Sequence, residues 1–374
     1  MTSFDLPPGT TGVITVDLAQ IGANWRTLAD GVRPAQCGAV VKADAYGLGA
    51  ARVIPALWNA GCRAFFIATP DEAGSAAAMV PNAAVFALDG LVSGSAKVLD
   101  RVGAIPVLSS FEEVREWSAY ARMQNKILPA ALHVDSGLNR LGISEAEIQV
   151  IALNEGMLSS LDVRLVMSHL ASADYPTDPK SEAQRIVFDR LRARLPKAPA
   201  SLAASDGLML GPAYHYDLVR PGYALYGGQA FKGGQTPVRP AVSIAARVLQ
   251  VRDVSPGETV GYSGTWRASR PSRIAVIAAG YADGIARAIS SNGHTNGRVS
   301  IAGATAPIIG RVSMDLITVD VTDVKAPVLR GDLATFVGPG LTIEAMGAAS
   351  GTIGYEVLTR LGTRFHRRYV GEGV

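Results

Sequence analysis

Cysteine is the scarcest residue of this chain: Cys37 and Cys62 are the two in 374 residues. Two cysteines make no disulfide framework, and neither has metal-ligand spacing, so a stapled scaffold is excluded and no metal site is expected. An excess of charge of one sign is lacking too. Lys and Arg number 35 against 32 Asp and Glu, a net charge of +3. The basic residues are scattered and leave no nucleic-acid footprint, so no nucleic-acid partner is expected. The short basic run Phe365-His366-Arg367-Arg368 reads as a solvated tail. No apolar run reaches membrane-spanning length. The beginning of the chain, with Asp5 and two prolines, lacks the basic-then-apolar pattern of an export signal. The expectation is a soluble, cytoplasmic protein without a membrane partner. What the chain does have is apolar mass: 48% apolar against 18% charged residues. That is a globular composition, long enough for roughly two domains and a substantial core.

Short, nearly uniform apolar runs recur at 38–42, 64–69, 84–88, 105–108, 130–134, 164–169, 201–204 and 217–220. Uniformly apolar strands are strands covered on both faces. Helical periodicity fills most gaps, at 50–59, 71–78, 111–119, 145–153 and 179–195. Eight strands alternating with helices predict a parallel sheet closed into an (α/β)8 barrel of the TIM type. The pattern changes near Gly227. Residues 228–240 are rich in Gly, Gln and Pro and read as a linker. Strand-like runs then dominate, at 242–251, 273–279, 298–301, 306–309, 316–320 and 333–337, with helices at 342–348 and 354–361. The domain expectation is a barrel over 12–235 and a mostly β domain over 236–374, with residues 1–11 associating with the latter. The opening strand 12–17 is a candidate to pair with the C-terminal domain.

The segment Val40-Val41-Lys42-Ala43-Asp44-Ala45-Tyr46-Gly47 puts one lysine at the end of an apolar strand, before a glycine turn. Burial lowers a lysine's pKa. An uncharged amine is a nucleophile towards carbonyls and forms Schiff bases. In a barrel of this type the chemistry sits at the C-terminal strand ends, with phosphate often bound after strands 7 and 8. Polar residues collect at those ends: Lys42 after strand 1, Arg140 after strand 5, His169 after strand 6, Ser205 after strand 7 and Arg220 after strand 8.

Five ordered motifs carry a resemblance: Val41-Lys42-Ala43-Asp44-Ala45-Tyr46-Gly47, Asp135-Ser136-Gly137-Leu138-Asn139-Arg140-Leu141-Gly142, Arg220-Pro221-Gly222-Tyr223-Ala224-Leu225-Tyr226-Gly227, Val260-Gly261-Tyr262 and Gly310-Arg311-Val312-Ser313-Met314-Asp315. Together they resemble the bacterial alanine racemases, a pyridoxal-phosphate-dependent barrel family of fold type III. The resemblance implies pyridoxal 5'-phosphate joined to Lys42. It implies that Tyr46, Ser205, Gly222, Tyr223 and Tyr355 hold the phosphate. Arg220 would face the pyridine nitrogen without protonating it, because a guanidinium keeps its proton. His169 would stack near the ring and hydrogen-bond Arg220, and Arg140 would bond the phenolic oxygen and the substrate carboxylate. Inverting a stereocentre takes a base on each face. Lys42 is implied as one, and Tyr262 of the partner subunit in a homodimer with shared sites as the other. Tyr281, Met314 and Asp315 are implied at the substrate entrance and carboxylate. The implied reaction interconverts L- and D-alanine for peptidoglycan.

Departures from the family pattern stand beside this. His133 occupies the place of a lysine, often carbamylated, that props Arg140; Ala204 stands for an asparagine, Ser313 for a cysteine and Leu138 for a methionine. The rival readings are a racemase of another or broader set of amino acids and a fold-type III decarboxylase. The decarboxylases set an acidic residue where Arg220 stands and use a later cysteine, which this chain lacks beyond Cys62.

Overall fold

The computed structural model describes residues 6–154, 156–290 and 297–372. They form two compact units: Ile21–Arg239, and the described residues of Met1–Gln20 with those of Pro240–Val374. Residues 12–20, placed with the barrel by the sequence boundaries, lie in the second unit. The reason is pairing. The strand Gly12–Asp17 runs antiparallel to Val242–Val254 and parallel to His366–Val370. The latter strand also corrects the reading of the basic tail: two of its residues, Arg367 and Arg368, are only partly exposed. The Arg368 guanidinium donates to Thr15 Oγ1 at 2.8 Å, and Arg367 donates to the carbonyls of Leu361 and Gly362.

In the first unit the strands Ala39–Val40, Ala64–Ile67, Ala84–Ala87, Ile105–Leu108, Leu128–His133, Leu161–Met167 and Ala200–Ser201 pair in parallel, each with the next. The eighth, Leu218–Val219, pairs in parallel with Gln36–Cys37. Backbone bonds Asp217 N–Ala200 O (3.0 Å) and Arg220 N–Ala203 O (2.9 Å) join it to the seventh. Gly38 N–Val219 O (2.9 Å) and Val40 N–Pro221 O (2.8 Å) join it to the first, which closes the predicted barrel. Most strand residues are buried, as their runs foretold, with Phe65 and Phe66 fully enclosed; Asp162 and Arg164 at the start of Leu161–Met167 are exposed. Gly38 is fixed by close packing, since a Cβ there would lie 2.9 Å from the Phe66 ring and 3.0 Å from the Ala64 carbonyl. The helices start where the side chains allow. Thr69 and Ser144 form capping boxes with Glu72 and Glu147, and Ser110 caps Phe111–Met123.

In the second unit Val242–Val254 pairs with both Ser272–Ile277 and Leu333–Val337, so that with Ile317–Asp320, Ala304–Ile309 and Arg298–Ile301 the strands form a closed ring. Helices Ile343–Ala349 and Gly354–Thr359 follow. No helix among the described residues is long and apolar enough to cross a membrane.

Candidate active site

The barrel's C-terminal mouth gathers the residues expected there. Lys42 does not end its strand. That strand stops at Val40, and Lys42 opens a turn over Lys42–Gly47 in which Ala43, Asp44, Ala45 and Tyr46 all have left-handed backbone. The lysine is exposed from the mouth rather than enclosed. Its pKa is nevertheless lowered, first by the loss of solvent around the amine and then by the neighbouring Arg140 guanidinium; Asp89 and Glu72 act in the opposite sense.

Arg140 rides on the loop after Leu128–His133. Asp135 Oδ1 accepts from the N–H groups of Gly137, Leu138 and Asn139, which folds the loop over its own first residue. Gly142 has to be glycine. Its φ is 133°, and a Cβ would lie 2.5 Å from the Asp135 nitrogen. The Arg140 guanidinium is exposed and makes no hydrogen bond or ion pair among the described residues. His133, where a propping lysine was expected, is buried; burial, then Arg220 and Arg140, push its pKa down to about 4. Its Nδ1 lies 3.4 Å from Ser109 Oγ.

Arg220 is 3% exposed. It donates to Ser201 Oγ and to the carbonyls of Ser168 (2.7 Å) and Leu202 (3.4 Å). The expected bond to His169 is not formed; the guanidinium is held by the barrel wall through Nη1 and Nη2 instead. Burial pushes its pKa down to about 9, so it still carries its proton at neutral pH. His169 is half-buried, and burial, then Arg220 and Arg140, hold it neutral with a pKa of about 3. Gln184, on the helix Lys180–Arg192, braces this stretch by donating to the His169 carbonyl (3.0 Å) and accepting from Ala171 N–H (2.8 Å).

Across the mouth, Ser205 Oγ accepts from the N–H groups of Gly222 (3.0 Å) and Ala224 (3.2 Å). With both lone pairs engaged, the hydroxyl keeps its own proton to donate. Gly222 allows a close approach there: a Cβ would come within 2.3 Å of Tyr46 Oη, so the tyrosine hydroxyl packs directly on the glycine. Tyr46 is buried, its ring centroid 5.0 Å from that of Tyr226, and burial and then Asp206 raise its pKa, so its hydroxyl stays protonated. Tyr223 is 1% exposed at the start of the turn Tyr223–Tyr226. The Tyr46 and Ser205 hydroxyls, brought together over the Gly222–Tyr223 backbone by the absence of a side chain at Gly222, form a donor pair suited to a phosphate.

Tyr262, Tyr281, Met314, Asp315 and Tyr355 lie in the other unit. Tyr281 N–H donates to Ser313 O (3.1 Å) and Ala282 N–H to Met314 O (3.0 Å), so two of the expected segments are zipped together. Asp315 takes a 2.6 Å bond from Arg364, which also clamps the buried Asp283 through Nε and Nη2, both at 2.8 Å. Arg311 reaches Ser263 Oγ at 3.1 Å and ties the Tyr262 turn to the same group. Tyr355 is half-buried in Gly354–Thr359. Sequence reasoning missed Glu72, Gln184, Ser201 and the Asp283–Arg364 clamp. Only Glu72 carried a local signal, as the fourth residue of the cap motif Thr69-Pro70-Asp71-Glu72.

A closed parallel barrel with a mouth lysine, a protonated buried arginine and an anion cradle, followed by a β unit, defines a class: two-part barrel enzymes that work through an amine-held cofactor. Within that class the chain belongs to the alanine racemase family. The family models for the N-terminal and C-terminal domains of alanine racemase match residues 16–230 and 241–369. The alanine racemase of Methylobacterium sp. (strain 4-46) is 46% identical over 358 residues, 96% of this chain and 97% of that protein. That of Brucella canis is 44% identical, covering 98% and 95%. Among solved structures, alanine racemase from Bartonella henselae with covalently bound pyridoxal phosphate superposes with a TM-score of 0.92 at 38% identity, covering 96% of this chain and 99% of that one. The biosynthetic alanine racemase from Pseudomonas aeruginosa gives 0.89 at 32%, covering 97% and 100%.

Proposed function

We propose that this protein interconverts L- and D-alanine with pyridoxal 5'-phosphate held on Lys42. The observation that carries the reading is Lys42 on its left-handed turn at the barrel mouth, where partial loss of solvent and then Arg140 lower the amine's pKa. Bound there, pyridoxal phosphate supplies an electron-withdrawing ring that acidifies the substrate's Cα–H. Tyr46 and Ser205 would donate their hydroxyl protons to the phosphate, with the Tyr223 backbone and Tyr355 as further donors, while the Gly222 N–H, engaged by Ser205 Oγ, would orient that hydroxyl. Arg220, which keeps its protons, would face a ring nitrogen without protonating it, which would favour rapid reprotonation of the substrate's Cα over other fates. His169, neutral, packs beside the ring. Arg140 holds the substrate carboxylate. Nζ of Lys42, freed when the substrate's amine takes its place on the cofactor, would take or return the Cα proton on one face.

The hydroxyl of Tyr262 of the partner subunit does so on the other, in a homodimer with shared sites. What supports the dimer is a cluster of large side chains left open to solvent on neighbouring loops of one unit: Tyr262 at 71%, Met314 at 52% and Tyr281 at 44% exposed. An exposed apolar patch of this kind suits a subunit interface. Tyr281, Met314 and Asp315 border the substrate there. The product feeds peptidoglycan synthesis. Reduction of the purified protein with borohydride, followed by peptide mapping, tests the assignment: label on Lys42 is expected, and an unlabelled Lys42 overturns it. Loss of optical rotation across a panel of L-amino acids, with alanine fastest, tests the substrate.

A further inference from the structure

Ala43, Asp44, Ala45 and Tyr46 have φ values of 52°, 54°, 53° and 58°. Left-handed backbone brings Cβ against the next carbonyl oxygen, and L residues enter it singly rather than in runs. Four in a row persist only where surrounding contacts over-determine the conformation. Four of those contacts are local: Ala45 N–H to Val41 O (2.9 Å), Leu48 N–H to Ala45 O (3.2 Å), Gly49 N–H to Asp44 O (2.9 Å) and Ala50 N–H to Asp44 Oδ1 (2.7 Å). One comes from elsewhere in the barrel. The N–H of Ala43, the residue directly after Lys42, donates to Glu72 Oε1 at 2.7 Å. Glu72 Oε2 accepts from Ala68 N–H at 2.8 Å and, more weakly, from Thr69 N–H at 3.5 Å.

One carboxylate thus joins two neighbouring strand ends. Its Oε2 arm belongs to the capping box that starts the helix Pro70–Met79, with Thr69 Oγ1 accepting from Glu72 N–H. The Oε1 arm serves nothing in that helix. It binds the strained turn, 29 residues away, at its first peptide. We propose that Glu72 is a positioning residue for Lys42: through the Ala43 N–H it locks the left-handed turn to the second strand end and so fixes the direction from which the amine enters the mouth. The inference rests on Lys42 being the reactive amine.

The test compares Glu72→Ala with Thr69→Ala, which loses the helix cap but leaves Ala43 bonded. In the holoenzyme, Glu72→Ala should lower kcat for alanine by about tenfold to a hundredfold, the scale of a misplacement of about 1 Å, with little change in KM. Thr69→Ala should stay within about twofold of the parent on the same scale. Amide exchange over residues 43–49 should quicken in Glu72→Ala and not in Thr69→Ala. Adding Ala43→Gly to Glu72→Ala should restore much of kcat, because glycine meets no left-handed penalty. Equal kcat losses in the two single variants, unchanged exchange at 43–49, or no rescue by glycine each overturns the proposal. Should Glu72→Ala not fold, Glu72→Gln keeps the shape and one acceptor oxygen and serves the same comparisons. An unlabelled Lys42 after borohydride would refute the assigned chemistry, while the exchange data still judge the clamp.

Discussion

The mouth of the barrel and the loops of the β unit are built on opposite plans. Arg220 is 3% exposed and donates to three acceptors of the barrel wall, and the turn after Lys42 is tied at five peptides. Tyr262 is 71% exposed on a three-residue turn. Groups that orient a cofactor need fixed places, and a barrel supplies them by burying their stems and satisfying their polar atoms. A group that reaches a site in another subunit has to be presented outward, so its own unit cannot bury it. On the proposed reading, the exposure of Tyr262 follows from that requirement.

The sharpest break in the comparison is Lys42→Ala, which should abolish both racemisation and the cofactor's visible absorption; a spectrum and an optical-rotation assay check it. Next comes Tyr262→Phe, expected to cost about a hundredfold or more in turnover, the share of a general acid-base group. It should also alter solvent deuterium incorporation from one enantiomer. Mixing the two inactive variants sharpens the contrast. If Tyr262 acts across a dimer, each mixed dimer keeps one intact site, and random exchange should restore about a quarter of the parent's activity. No recovery would place both bases in one chain. Gly222→Ala follows: the new methyl meets Tyr46 Oη, so the cofactor should be retained about tenfold less well, an overpacking cost of about 1–2 kcal/mol. Equilibrium dialysis measures that.

The smallest effect concerns acid stability. His133 is held neutral with a pKa of about 4, below the ordinary 6.5 of the unfolded chain. The unfolded state therefore binds more protons between those values, and stability falls as pH drops from about 6.5 to about 4, by up to about 3 kcal/mol for this residue. His133→Gln should flatten that slope in urea titrations. Among the described residues of the β unit, the clamp of Arg364 with Asp283 and Asp315 involves no histidine.

The barrel was legible because strands covered on both faces announce themselves as apolar runs. The site motifs were legible because mouth residues follow those runs directly. The left-handed turn was not. Ala43, Asp44, Ala45 and Tyr46 include no glycine to signal positive φ, and one of the bonds that hold them comes from Glu72. Nor was the strand His366–Val370, whose basic residues look like a solvated tail until they lie beside Gly12–Asp17. The same pairing moved residues 12–20 out of the barrel. The bond expected between His169 and Arg220 gave way to Ser201 and Ser168, which only barrel closure brings to the guanidinium.

By itself the amino-acid order determined the alternation of elements, the lysine, arginines, serine and glycine at the strand ends, and the family. These depend on local periodicity and on neighbours a few residues apart. Tertiary structure alone decided the clamp of Glu72 on the turn beside Lys42, the partners of Arg220 and the neutrality of His133 and His169. Each of those depends on desolvation or on a hydrogen bond between residues distant along the chain, and such contacts exist only once the barrel has closed.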